Sequence, residues 1–192
     1  MTKNIMIVGV GGQGTLVACN LLGKLLVDEG YDVKMSEVHG MSQRGGSVVT
    51  FVRFGDKVYS PVIADGEADY ILAFEKIEAA RYIQCLKPDG KVIVNDQEVD
   101  PMPVIIGAAE YPHDALDQLR AQGVDVDAID ALALAEQAGN SKSVNVVLMG
   151  LLSRLMSDIS DELWQNALVA EVKPKFLDLN RKAFDLGKSC IA

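Results

Sequence analysis

The segment KNIMIVGVGGQG, residues 3–14, constrains the fold more than any other stretch of the chain. Its apolar, β-branched start predicts a buried strand, and the glycines that follow predict a sharp turn into a helix. Gly9-Val10-Gly11-Gly12-Gln13-Gly14 fits the G-x-G-x-x-G spacing. Glycines let the backbone turn tightly, and the first helical turn presents unpaired N–H groups to an anion. The same residues also suit a tight strand-to-helix turn that holds nothing, so both readings stay open here. Gln13 adds an amide that could reach a ligand or a partner chain.

A helix is expected to run through about Glu29 and to close at Gly30. Leu16, Val17, Leu21, Leu22, Leu25 and Leu26 make it apolar on most sides, as suits a crossover helix on a parallel sheet. YDVKMSEV then predicts a second strand, completing a strand–helix–strand unit.

The pattern changes at GGSVVTFVRFGDKVYSP, which has no helical period. Its Gly55-Asp56, between Phe54 and Lys57, predicts a hairpin turn and an antiparallel insertion. ADYILAF and KVIVN predict further buried strands, separated by a helix from about Lys76 to Leu86 and a turn at KPDG. DQEVDPMPVIIGAAEYP reads as irregular or edge strand. A helix over HDALDQLRAQG, a short strand at VDVDA and a helix capped by Asp130 and Gly139 follow. The last fifty or so residues predict helices, with Ser143 and Ser160 as N-caps and Pro174 opening a final helix to about Gly187. The expectation is one α/β domain over residues 1–192. It is a Rossmann-like, open, mostly parallel sheet with helices on both faces, an antiparallel hairpin insertion and a helical C-terminus.

With 192 residues, 49% of them hydrophobic, the chain can bury a sizeable core. A formal net charge of −9 disfavours nucleic acid but not a small anion held locally. No apolar run reaches membrane-spanning length, and no signal-peptide pattern precedes the first strand, so a cytoplasmic protein is expected. Cys19, Cys85 and Cys190 are far apart and form no CxxC. That spacing argues against a disulfide framework and against an iron–sulfur cluster held by this chain alone.

The candidate binding residues fall in two glycine-rich loops. One is Gly9, Gly11, Gly12, Gln13 and Gly14. The other lies in SEVHGMSQRGGSV, where Ser42, Gln43, Arg44, Gly45 and Gly46 set a rigid guanidinium fork in a mobile backbone. In an open α/β sheet both loops belong at the carboxyl edge, where ligands bind. A solvated surface turn is the alternative for Arg44. Glu37 stands where a dinucleotide site keeps its ribose carboxylate, yet it equally suits a loop brace. His39 reads as a loop-stabilising hydrogen bonder and His113 as a solvated helix-start residue. Asn145, in a very apolar helix, needs a buried partner. Glu75 suits a helix start. No GxSxG, GxxxxGK[ST] or HExxH motif is present, and no acid–base pair for hydride transfer stands out.

Taken together, GVGGQGTL, SEVHGMSQRGGSV and GEADYILAFEKIEAARYI resemble the gamma-type domain of the 2-oxoacid:ferredoxin oxidoreductases. Within that family they resemble the beta subunit of the indolepyruvate enzymes. The resemblance runs from Asn4 to NVVLMGLL and weakens in the last forty or so residues. Arg44, Gly45 and Gly46 look family-wide; His39 to Gln43 look specific to the subclass. The resemblance implies a subunit of a complex that decarboxylates an aryl 2-oxoacid, reduces ferredoxin and releases an aryl-acetyl-coenzyme A. Thiamine diphosphate and [4Fe–4S] clusters would belong to a larger alpha subunit. Coenzyme A could meet this chain at the subunit junction, and the isolated chain would be inactive. A gamma subunit acting on pyruvate, 2-oxoglutarate or a branched-chain oxoacid is the nearest alternative. A stand-alone nicotinamide-dependent or nucleotide-binding protein is a more distant one.

Overall fold

The computed structural model describes residues 2–42 and 44–190. In chain order the elements are β1 (Lys3–Val10), α1 (Thr15–Asp28), β2 (Asp32–His39), β3 (Ser47–Gly55), β4 (Ala68–Ala73) and α2 (Lys76–Arg81). They continue with β5 (Leu86–Asn95), α3 (Met102–Ile105), α4 (Ala115–Ala121), β6 (Asp125–Ile129) and α5 (Ala131–Ala138). The chain closes with α6 (Val144–Leu155), α7 (Asp161–Glu171) and α8 (Leu177–Ser189).

The strands form one six-stranded sheet in the order β2-β3-β1-β4-β5-β6. β1, β4, β5 and β6 pair in parallel, while β3 runs antiparallel to both of its neighbours. The expected open, mostly parallel sheet is therefore present, with one reversed strand.

Alternation along the strands divides the core between the two faces. Ile5, Ile7, Leu72 and Ile93 point to one face, where residues of α1, α5, α6, α7 and α8 cover them. Met6, Val8, Ile71, Ala73, Val92 and Val94 point to the other, under Ala79 of α2 and Leu116 and Leu119 of α4. On the first face α6 and α8 pack backbone against backbone. A Cβ placed on Gly150 would lie 2.1 Å from the Phe184 carbonyl oxygen, and one on Gly187 2.0 Å from that of Val147.

Four sequence expectations change, one being that DQEVDPMPVIIGAAEYP, expected as irregular or edge strand, carries the short helix α3. The turn expected at Gly55-Asp56 does not return as a strand. The hairpin is β2–β3, with register from Asp32 opposite Gly55 to His39 opposite Val48. Its tip is therefore the GMSQRGG loop itself. β3 runs unbroken because Val48–Phe54 pairs on both edges, and pairing stops where β2 begins. KPDG lies inside β5 as an irregularity, where the register shifts between Ala68 and Tyr70, while α2 stops at Arg81. Ser143 stands at the N-cap of α6 but its side chain makes no capping bond. Asp130, Ser160 and Gly139 do cap as expected: the first two accept from Ala133 and Leu163 N–H groups, and Gly139 adopts φ +106°.

Candidate functional site

β1 ends at Val10, and its carboxyl edge carries the glycine loop. The hairpin tip returns to that edge. The Gly11 N–H donates to the Gly46 carbonyl at 2.8 Å, and the Gly45 N–H donates to the Gly11 carbonyl at 3.2 Å. The two loops singled out in the sequence are thus joined backbone to backbone. Gly45 needs its φ of +76° for this clasp, a region that costs other residues dearly. Gln43 lies outside the described residues.

Gly14 is the N-cap of α1 at φ +88°, brings no capping side chain, and is followed by a first turn without an acid. The N–H end of a long helix is therefore open towards the edge. Gly9 is required by packing, since a Cβ there would lie 2.9 Å from the Gln13 amide oxygen. The Gln13 side chain is committed inside the protein. Its Oε1 accepts the Val10 N–H at 2.7 Å and its Nε2 donates to the Phe74 carbonyl at 3.2 Å. It thereby fills the gap between β1 and β4, where the connections diverge to opposite ends of the sheet and ligands of such folds commonly sit.

Arg44 is exposed at the tip, where its carbonyl accepts the Ser42 hydroxyl at 2.5 Å. A cavity of about 400 Å³ lies between the glycine loop, Leu16, Glu37 and His39. Glu37 accepts the Thr50 hydroxyl at 3.3 Å, so it braces β3. His39 Nδ1 lies 2.8 Å from the Gly40 carbonyl, in the loop-stabilising role expected. His113 is exposed and pairs through Nδ1 with Glu98 at 2.9 Å. Asn145 has its buried partner: its Nδ2 donates to the Gly14 carbonyl at 3.4 Å, tying α6 to the glycine loop.

Behind the clasp lies a buried acidic network that the sequence does not reveal. Glu75 caps α2 by accepting the Glu78 N–H at 3.0 Å, and it also accepts the Val99 N–H at 3.3 Å and the Tyr111 hydroxyl. Burial, and then Glu75, push the Tyr111 phenol far above its usual range. Glu78 accepts Arg81 Nε at 3.0 Å and the hydroxyl of Ser47. Ser47 is the first residue of β3, where the chain leaves the hairpin tip, so Glu78 anchors the tip end of the hairpin. Glu75 is legible as a helix-start acid; Glu78 is not, because its partner Ser47 is far away in the sequence.

The family model described as pyruvate ferredoxin/flavodoxin oxidoreductase matches residues 4–190. The chain is 46% identical over 191 residues to the indolepyruvate oxidoreductase subunit IorB of Thermococcus kodakarensis, covering 96% of this chain and 93% of that one. It is 26% identical over 181 residues to the pyruvate synthase subunit PorC of Methanocaldococcus jannaschii, covering 93% and 91%. The fold is similar, at a TM-score of 0.73 and 21% identity, to the 2-oxoglutarate:ferredoxin oxidoreductase of Magnetococcus marinus with 2-oxoglutarate, coenzyme A and succinyl-CoA bound. That match covers 98% of this chain and 30% of the other.

Proposed function

Because the chain belongs to the pyruvate ferredoxin/flavodoxin oxidoreductase family, we propose that it is the beta subunit of a ferredoxin-dependent indolepyruvate oxidoreductase. The complex converts an aryl 2-oxoacid and coenzyme A to an aryl-acetyl-coenzyme A and carbon dioxide, and passes two electrons to ferredoxin. The observation that carries this reading is the 46% identity to an indolepyruvate oxidoreductase subunit over nearly the full length of both chains.

Thiamine and the clusters belong in this reading to a larger alpha subunit. Among the described residues no group of three or more His, Cys, Asp or Glu side chains is placed to hold a metal ion. Cys19 and Cys85 are buried, and burial, then Glu37, push the Cys19 thiol up to about 11, far from the thiolate a cluster needs. Coenzyme A supplies the thiol that takes the acyl group. This chain's part is to hold and orient. The open N-terminal end of α1 after Gly14 suits an anion, and Arg44 offers a two-pronged donor to a carrier phosphate or a partner carboxylate. The clasp fixes the distance between the two. Among the described residues no helix is long and apolar enough to cross a membrane.

A gamma-type subunit acting on another 2-oxoacid is the second reading, supported by the 26% identity to the pyruvate synthase subunit. The test is to isolate the native complex, identify the larger chain, and compare indolepyruvate, pyruvate and 2-oxoglutarate by kcat/KM with a viologen acceptor. Indolepyruvate should be preferred, and the purified 192-residue chain alone should be inactive. Preference for pyruvate would select the second reading, and turnover by the chain alone would end the division of labour.

A further inference from the structure

Between β5 and α4 the chain makes an excursion, residues 96–113, that has no role in the reading above. Its tip is α3, which buries none of its residues. Met102, Ile105 and Ile106 are 64%, 65% and 68% exposed. They stand at i, i+3 and i+4, on one face of the turn. A cluster of large apolar side chains left in water, with polar residues around it, marks a surface that a partner covers.

The excursion is fastened at its base. On its outgoing arm the Val99 N–H donates to buried Glu75 at 3.3 Å, and on its return the Tyr111 hydroxyl donates to the same carboxylate. Glu98 ties the two arms together, with His113 Nδ1 at 2.9 Å and Lys76 Nζ at 3.2 Å. The tip is held by its own backbone. The Val104 and Ile105 N–H groups donate to the Pro101 carbonyl, and those of Ala108 and Ala109 to the Pro103 carbonyl. An apolar knob ordered in advance loses little entropy on docking. It stands beside the hairpin tip, because Val99 and Pro101 line a hollow of about 50 Å³ together with Gly45 and Ser47.

Charge selects the kind of partner. Residues 96–113 include Asp96, Glu98, Asp100 and Glu110 and no lysine or arginine. Asp96 and Glu98 are paired with Lys76, and Arg81, which lines the hollow beside Pro101, is held by Glu78. Asp100 and Glu110 flank the knob, are exposed, and pair with no cation among the described residues. Such a rim is repelled by an anionic lipid surface. Two copies meeting knob to knob would set acid against acid. In the Magnetococcus marinus relative the matched fold occupies 30% of the chain, so there the same fold is joined to a larger body.

We propose that α3 is the knob on which the larger subunit of the complex docks, through an apolar recess rimmed by lysine or arginine. Met102, Ile105 and Ile106 fill the recess, and Asp100 and Glu110 meet its rim. The identity of that partner rests on the reading above.

The test reconstitutes the full chain, parent or variant, with the larger subunit of the native complex and reads affinity by titration. A chain carrying both Ile105→Ser and Ile106→Ser should melt with the parent, because α3 buries nothing, and bind at least about a hundredfold more weakly. Ile105→Leu, which keeps the apolar surface, should bind as the parent does. Asp100→Lys with Glu110→Lys should also weaken binding, by a factor that shrinks as salt rises. The inference is overturned if the double serine variant binds with parental affinity, or if it melts lower, which would make α3 part of the core. It is also overturned if the parent alone self-associates, or is retained on phosphatidylserine vesicles, and the double serine variant is not. Substrate preference is read separately. Preference for pyruvate over indolepyruvate would unseat the reading above, while a weakened serine variant would still place the larger subunit on α3.

Discussion

The N–H of Gly11 donates to the carbonyl of Gly46 at 2.8 Å, and this bond carries the β1–β3 ladder one step past its last regular pair, Val10 with Ser47. The loop that opens α1 and the loop that carries Arg44 are therefore consecutive rungs of one ladder. A change at the hairpin tip is transmitted to the helix N-terminus through backbone rather than through side chains.

Arg44 should matter to assembly or carrier binding and not to folding. Its side chain is exposed, so Arg44→Ala and Arg44→Lys should melt with the parent. A charge-assisted hydrogen bond is worth about 1.5–3 kcal/mol, so coenzyme A or subunit affinity should fall by roughly ten- to a hundredfold. Lysine should not rescue it, because it lacks the planar fork. Reconstitution with the larger chain, read by assembly and coenzyme A dependence, checks this; parental behaviour in both would make Arg44 a solvated turn residue.

Gln13→Ala should destabilise the fold by about 1–3 kcal/mol, since it strands a buried backbone donor. The group left behind is the Val10 N–H, while the Phe74 carbonyl keeps the Asn95 amide. Chemical denaturation would show the loss. A stability equal to the parent's would mean that water or another amide replaces Gln13.

Glycines at different places should fail for different reasons. Gly150→Ala or Gly187→Ala drives a methyl into a backbone carbonyl at 2.1 or 2.0 Å. Each should cost about 3 kcal/mol or more and separate α6 from α8. Gly12→Ala meets no atom within 4 Å but must hold φ +106°, at about 1–2 kcal/mol. Urea midpoints of the three variants should rank accordingly.

The nicotinamide reading has a geometric obstacle. β3 stands between β1 and β2, which puts Glu37 two strand spacings, about 10 Å, from β1 where a dinucleotide fold has one. Titration with NAD should show nothing tighter than millimolar, about −4 kcal/mol. Micromolar binding that Glu37→Ala removes would reinstate a dehydrogenase.

Stability should fall at alkaline pH. Burial, then Glu37, raise the Cys19 thiol from 9.0 to about 11 in the folded chain. Its contribution is complete below pH 9 and lost by about 11, because the unfolded chain ionises first. The full displacement corresponds to at most about 3 kcal/mol. Melting temperature measured from pH 8 to 11 should decline less steeply in Cys19→Ala than in the parent; equal slopes would assign the decline to other groups.

Most of the architecture is legible in local pattern. Apolar runs give β1, β4 and β5, side-chain chemistry gives the caps at Asp130 and Ser160, and the freedom of a glycine backbone gives the cap at Gly139. The hairpin is misplaced because Gly55-Asp56 carries a stronger turn signal than GMSQRGG, whereas strand pairing is decided by partners on both sides of β3. Of the site, the closeness of the two glycine loops follows from sheet logic alone. That Gln13 turns inward, and that Glu78 holds Ser47, depends on partners brought together only by the finished sheet.

The Phe74 carbonyl receives both Gln13 Nε2 at 3.2 Å and Asn95 Nδ2 at 3.3 Å, and Asn95 in turn accepts the Ala131 N–H at 3.1 Å. One peptide oxygen thus couples the ends of β1, β4 and β5 and the start of α5. Amide hydrogen exchange at Val10 and Ala131 should be slow, in contrast to the hairpin tip around Ser42 and Arg44. The entropy lost when a ligand or partner docks then falls mainly on that tip, and the half of the rim behind it needs little ordering.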